Sequence, residues 1–225
     1  MILPTVTVHR IGHEGEPVAV IENFAPDPDT LRDDGALRKF TASEDYYPGL
    51  KAPAPDDYLA IQRAVLAAVF RDVFGAGDRV SVLDVTYAMV TAAPDTLSLE
   101  QRLPHVDALQ PGRLALIHYL VPGGSDGTAF YRHRATGFET VDRERSAPYF
   151  AQLNEDLRKH GPPVAGYLEG STPIFERIGH FDGNYNRALI YRGRLLHCGA
   201  IWAGRSLPAD PRTGRLTITG FFAAD

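Results

Sequence analysis

Two His-x-Asp pairs, His105-Val-Asp107 and His180-Phe-Asp182, stand out in a chain of 225 residues that holds eight histidines. Residues two apart on a strand point to the same side, so either pair could aim an imidazole and a carboxylate into one site. Two histidines and one carboxylate on one face of a metal leave its other positions open, as mononuclear iron(II) sites for oxygen chemistry require. A pattern this short recurs by chance, so its surroundings must decide. His180-Phe-Asp182 runs straight into Gly183-Asn184, which makes Asp182 read as the turn residue of a hairpin. His105-Val-Asp107 has apolar runs on both sides and leaves about 90 residues before His197, room for a sheet to fold back beside it. His105 and Asp107 are therefore the preferred pair, and His197 the preferred third ligand.

Taken alone, His197 in Leu195-Leu-His-Cys-Gly199 fits a core histidine bonded to a backbone carbonyl. It becomes a ligand candidate because a His-x-Asp pair lies upstream and an arginine strand lies downstream. That strand is Arg215-Leu-Thr-Ile-Thr-Gly-Phe-Phe222, with Thr217 on the same face as Arg215. A guanidinium pointing inward needs an anion, and a dicarboxylate supplies one through a two-pronged hydrogen bond. Arg205 competes for this role, but Gly204, Ser206 and Pro208 around it read as loop. Tyr131, Arg132, His133 and Arg134 read as a solvated loop, with a polar or anionic ligand as the functional alternative.

These residues need a scaffold of strands. Thr5 to Arg10 and Pro17 to Glu22 alternate as strands, and Asp29 or Thr30 can cap a short helix. Three prolines argue against regular structure from Tyr46 to Pro55. Asp56 to Phe74 predicts one helix with Tyr58, Ile61, Val65, Val69 and Val73 on its buried face and Gly75 ending it. Strands are expected over 79–92, 113–121, 174–180, 186–191, 195–201 and 216–222, with turns at 122–127, 182–184 and 191–194 and a helix over 143–159. Many strands with helices mostly before them predict a mainly β, α+β fold: a double-sheet jelly roll buttressed by N-terminal helices.

Composition narrows the class. A length of 225 residues suits a single domain, residues 1–225, and 44% hydrophobic residues suffice for a core. The net charge of −5, without basic runs, argues against a nucleic-acid partner. No apolar stretch approaches a membrane span and the first ten residues lack signal-peptide features, so the expectation is a cytoplasmic protein. Cys198 is the only cysteine, which rules out an intramolecular disulfide and a cysteine zinc site.

Five stretches in order carry a resemblance: Leu103-Pro-His-Val-Asp107, Leu114 to Val121, Asn186 to Tyr191, Leu195 to Gly199 and Arg215 to Thr219. Together they resemble the 2-oxoglutarate- and iron(II)-dependent oxygenase superfamily, in particular its prolyl-hydroxylase-like branch and a bacterial group within it. The resemblance implies a double-stranded β-helix holding Fe(II) on His105, Asp107 and His197. It implies that Arg215, helped by Thr217 and by the hydroxyl of Tyr119, holds the far carboxylate of 2-oxoglutarate. O2 would be the second co-substrate, and a small molecule or a peptide or protein would be oxidised, as by a hydroxylase. The alternatives are a cupin-like metal protein that does not use 2-oxoglutarate, and a non-catalytic binding protein. His197 and Arg215 are 18 positions apart, longer than usual in that family, which implies an inserted loop over Gly204 to Gly214. That departure bears on Arg215 more than on the three metal ligands.

Overall fold

The computed structural model describes residues 2–43, 46–77, 79–124 and 126–224. In chain order, β1 (Thr5–Ile11) and β2 (Glu16–Glu22) precede α1 (Pro28–Leu37), followed by β3 (Thr41–Ala42) and β4 (Gly49–Pro53). Next come α2 (Tyr58–Ile61), α3 (Arg63–Phe74), β5 (Val80–Val90), β6 (Arg113–Tyr119) and β7 (Gly127–His133). The chain ends with α4 (Arg143–His160), β8 (Phe175–Asp182), β9 (Ala188–Arg192), β10 (His197–Ala200) and β11 (Arg215–Ala224).

The strands form two antiparallel sheets, one ordered β1-β2-β9-β6-β11-β5-β4-β3 and the other β10-β7-β8. Both faces of the large sheet are covered, which is why β2, β6 and β9 are apolar almost throughout. On its outer face Tyr58, Leu66, Phe70 and Phe74 pack against Leu114, Leu116, Ile218 and Phe222. Its inner face meets the small sheet through Val20, Ala115, Leu189, Tyr191 and Phe130. Tyr149 and Leu153 of α4 close the far side of the small sheet over Ala129, Tyr131 and Phe175. The result is a double-sheet jelly roll with helices outside it. No helix among the described residues is long and apolar enough to cross a membrane.

Several local expectations need correction. Pro48 and Pro55 flank a regular strand: β4 lies between β3 and β5, with Pro53 as its last residue. Helix α1 is capped by Asp27, whose carboxylate accepts from the Thr30 N–H at 3.1 Å, with Pro28 in the first turn. The single helix expected from Asp56 is two, broken at Gln62, and the break shifts the buried face to Leu66, Val69, Phe70 and Phe74. Ile61 is consequently exposed. Gly75 does end α3, in the left-handed conformation. Asp182 ends β8, but no hairpin follows, because β9 belongs to the other sheet.

The largest correction concerns Tyr131 to Arg134. Gly127–His133 is the central strand of the small sheet, and Tyr131 and His133 are fully buried. Its charges are neutralised by residues distant in sequence: Arg132 pairs with Glu139 and Glu176, and His133 lies 3.1 Å from Asp156. The expected turn over 122–127 includes Ser125, which lies outside the described residues.

Candidate metal centre

His105 and His197 face each other across the end of the small sheet. Each donates its backbone N–H to the other's carbonyl at 2.9 Å, and this reciprocal pairing puts both imidazoles on one side, 4.5 Å apart between ring centres. Asp107, two residues on, is held by its N–H to the Gly193 carbonyl at 2.7 Å and points the same way. Asp107 Oδ1 lies 3.8 Å from His105 Nε2, and Oδ2 lies 3.5 Å from His197 Nε2. All three donor atoms fall within 4.8 Å of one another. Donors bound about 2.1 Å from a shared metal sit roughly 3 to 3.5 Å apart, so small rotations would close the set around an ion. The other pair, His180 and Asp182, is 3.5 Å apart on β8, away from this cluster.

Hydrogen bonding fixes the tautomer of His197. Its Nδ1–H donates to the Leu195 carbonyl at 2.8 Å, which leaves the Nε2 lone pair free on the side of Asp107. Burial lowers the pKa of His197 to about 4 and, reinforced by His197, that of His105 to about 4 as well. His105 is nonetheless 55% exposed at its side chain, because it opens onto a cavity walled by protein. Burial raises Asp107 to about 6. Neutral imidazoles beside a carboxylate that is costly to ionise alone favour a bound cation.

The cavity measures about 450 Å3. Arg215, Thr217, Thr219 and Phe221, alternate residues of β11, line one wall of it. His105, Asp107, His197 and Tyr191 also line it, as do Tyr46, Tyr47, Glu100, Gln101 and Tyr167. Arg215 is 4% exposed, and one nitrogen donates to the Gly127 carbonyl at 3.2 Å. Its Nε is buried without a partner, and no described carboxylate pairs with it. The guanidinium lies 5.8 Å from the centre of the Tyr119 ring, and the Tyr119 hydroxyl bonds Thr128 Oγ1 at 2.6 Å. Tyr119 thus packs against Arg215 without lining the cavity, while Thr217 lines it and donates its hydroxyl to the Ala88 carbonyl at 3.0 Å. Arg205 lies elsewhere, bound to buried Asp126 at 3.0 Å.

A family model described as a family of unknown function, DUF6445, matches residues 3–222. The chain belongs to this family. No curated protein matches the sequence. Among solved structures, this DUF6445 chain is similar to HygX from Streptomyces hygroscopicus, solved with nickel, 2-oxoglutarate and hygromycin B bound. The TM-score is 0.52 at 14% identity, over 92% of this chain and 82% of HygX. It is also similar to SnoN, a non-haem α-ketoglutarate-dependent epimerase from nogalamycin biosynthesis, with a TM-score of 0.50 at 12% identity. That match covers 93% of this chain and 78% of SnoN. At such identities the likeness is one of fold.

Thr128, Thr219, Phe221 and Tyr191 are among the lining residues of this DUF6445 chain that the sequence does not single out. Thr219 and Phe221 carried a readable signal, since they share the alternation of Arg215 and Thr217. Thr128 lies between the turn expected over 122–127 and the loop expected at Tyr131, and no pattern in the sequence marks Tyr191 as cavity wall.

Proposed function

We propose that this protein is an iron(II)- and 2-oxoglutarate-dependent oxygenase that acts as a hydroxylase on a second substrate. One observation carries the reading: a buried guanidinium without a counter-anion opens onto the same cavity as two neutral histidines and a carboxylate. A buried unpaired charge is expensive, and a carboxylate ligand would offset that cost. 2-Oxoglutarate has a carboxylate for Arg215 and a keto acid for a metal. HygX binds nickel and 2-oxoglutarate on the same fold, and SnoN depends on the same co-substrate, which supports the assignment.

The donor set suits a divalent first-row metal, with His105, Asp107 and His197 as its ligands and the rest of the coordination sphere open. Bound there, iron(II) would supply the oxygen chemistry that couples conversion of 2-oxoglutarate to succinate with oxidation of the substrate. The chain's own residues do the positioning. Leu195 holds the His197 ring through Nδ1, and Phe130 and Tyr191 pack their rings on it and exclude water. Tyr119, fixed by Thr128, steadies Arg215 so that its unsatisfied donors meet the distal carboxylate. The stretch of wall formed by Tyr46, Tyr47, Glu100, Gln101 and Tyr167 is left for the second substrate.

The test is anaerobic binding of 2-oxoglutarate to the Fe(II) protein, then succinate release under O2, for wild type, His105→Ala and Arg215→Ala. Wild type should bind and release succinate, His105→Ala should release none, and Arg215→Ala should bind 2-oxoglutarate weakly. Failure of the metal-loaded wild type to bind 2-oxoglutarate would overturn the reading.

A further inference from the structure

Tyr191, the penultimate residue of β9, has its ring wedged between two others. Its centre lies 4.7 Å from that of His197 and 5.1 Å from that of Phe130, both edge to face. The residue is 5% exposed and lines the metal-centre cavity. Yet none of the described residues forms a hydrogen bond with its hydroxyl. A phenylalanine would fill the same space between His197 and Phe130. With no partner among the described residues, the hydroxyl is left to hydrogen-bond with what occupies the cavity, water or a ligand.

Sheet register says which part of a ligand it would meet. Tyr191 lies opposite Ala115, and Ala115 lies opposite Phe221, so these three form one row across the inner face. Arg215 stands six residues before Phe221 on β11, on the order of 20 Å of backbone away. Its guanidinium is drawn to the Tyr119 ring and the Gly127 carbonyl. A ligand bridging Arg215 and the three metal-ligating side chains thus presents its far end to Arg215 and its near end to Tyr191.

We infer that the Tyr191 hydroxyl donates a hydrogen bond to a carboxylate or keto oxygen of the ligand held against His105, Asp107 and His197. Identifying that ligand with the keto-acid end of 2-oxoglutarate rests on the oxygenase reading; the hydrogen bond itself does not. The contact sets affinity and orientation at the near end, as Arg215 does at the far end.

Calorimetric titrations of the anaerobic Mn(II)-loaded protein test it, using wild type, Tyr191→Phe and Arg215→Met with two probes. The probes are 2-oxoglutarate and oxalate, which is long enough for the metal end alone. Tyr191→Phe should leave Mn(II) affinity and melting temperature in place and weaken both probes roughly five- to tenfold, the loss of one hydrogen bond. Arg215→Met should weaken 2-oxoglutarate and spare oxalate. Equal affinities in wild type and Tyr191→Phe would overturn the inference and leave the hydroxyl bonded to water only. So would binding of neither probe, or a Tyr191→Phe loss confined to Mn(II) affinity. Binding of oxalate without 2-oxoglutarate by wild type would overturn the oxygenase reading, and Tyr191 would then stand or fall on oxalate.

Discussion

The two faces of the large sheet bury polar side chains in opposite ways. On the helix side, His118 is fully buried and spends both ring nitrogens. Nδ1 accepts from the Tyr58 hydroxyl and Nε2–H donates to Asn186 Oδ1, each at 3.0 Å. Asn186 in turn meets both backbone groups of Ala25 at 2.9 Å. On the small-sheet side, His197 is also buried, but it spends only Nδ1 on protein. Arg215 leaves Nε unpaired, and the Tyr191 hydroxyl has no partner among the described residues. His118 and His197 are both buried; unfilled bonding capacity is what differs between them. A buried polar group with every bond made holds a fold together, whereas one with bonds left over marks where something else binds.

Exchanging the two histidines breaks or sharpens that comparison most. His197→Ala should reduce metal affinity by more than the roughly 10- to 100-fold expected for losing an outer-shell partner, with little change in apo stability. His118→Ala should do the reverse. It leaves a cavity and strands Tyr58 and Asn186, costing about 2–4 kcal/mol, or roughly 5 to 15 °C of melting temperature, while metal still binds. Metal titration and thermal melts of both variants read this out, and matching phenotypes would erase the distinction.

Arg215→Met comes next. Replacing a buried unpaired charge with an apolar chain should leave the apo melting temperature unchanged or raise it by a few degrees. 2-Oxoglutarate at about 100 times its dissociation constant should stabilise the metal-loaded wild type by about 2.7 kcal/mol and the variant hardly at all. A variant that melts well below wild type without ligand would mean that Arg215 is structural.

Much of the site was legible because strand alternation is strict. His105 and Asp107 share a side for that reason, as do Arg215 and Thr217, and ligand-type residues at that spacing exposed the pattern. The protein's long-range pairings were not legible. Arg132 and His133 read as solvent-facing because their partners Glu139, Glu176 and Asp156 lie 7 to 44 residues away. The face of α3 was misread because Gln62 breaks the helix and resets its phase. Nothing local to Tyr191 says that the far side of its strand faces a cavity.

The helix-side network also predicts a pH dependence. Burial depresses His118 to about 4, against an ordinary value of 6.5. Between those two values the unfolded chain takes the proton and the folded one refuses it, so this contribution is intact above 6.5. It falls with decreasing pH and levels off below about 4. At pH 5 the loss should be about 2 kcal/mol. Comparing apo melts of wild type and His118→Gln at pH 7 and pH 5 isolates it from His105 and His197, which both proteins share. Equal pH slopes in the two proteins would show that His118 accepts a proton in place.

The smallest effect should come from Arg205, and it asks whether the inserted loop belongs to the site. Arg205 forms an ion pair with Asp126, which is 4% exposed, and Asp126 Oδ1 also lies 3.5 Å from the Trp202 N–H. Arg205→Ala should loosen the loop and leave Asp126 uncompensated, at a cost of about 1–3 kcal/mol. Because Arg205 does not line the cavity, 2-oxoglutarate affinity should change by less than about twofold, within the loss of one weak contact. Trp202 is the chain's only tryptophan and is half exposed, so its fluorescence reports the loop directly. An altered emission with unchanged 2-oxoglutarate binding assigns Arg205 to the scaffold. Loss of binding as large as that of Arg215→Met would transfer the anion-holding role to Arg205, and the contrast between filled and unfilled bonding capacity would have misled at that position.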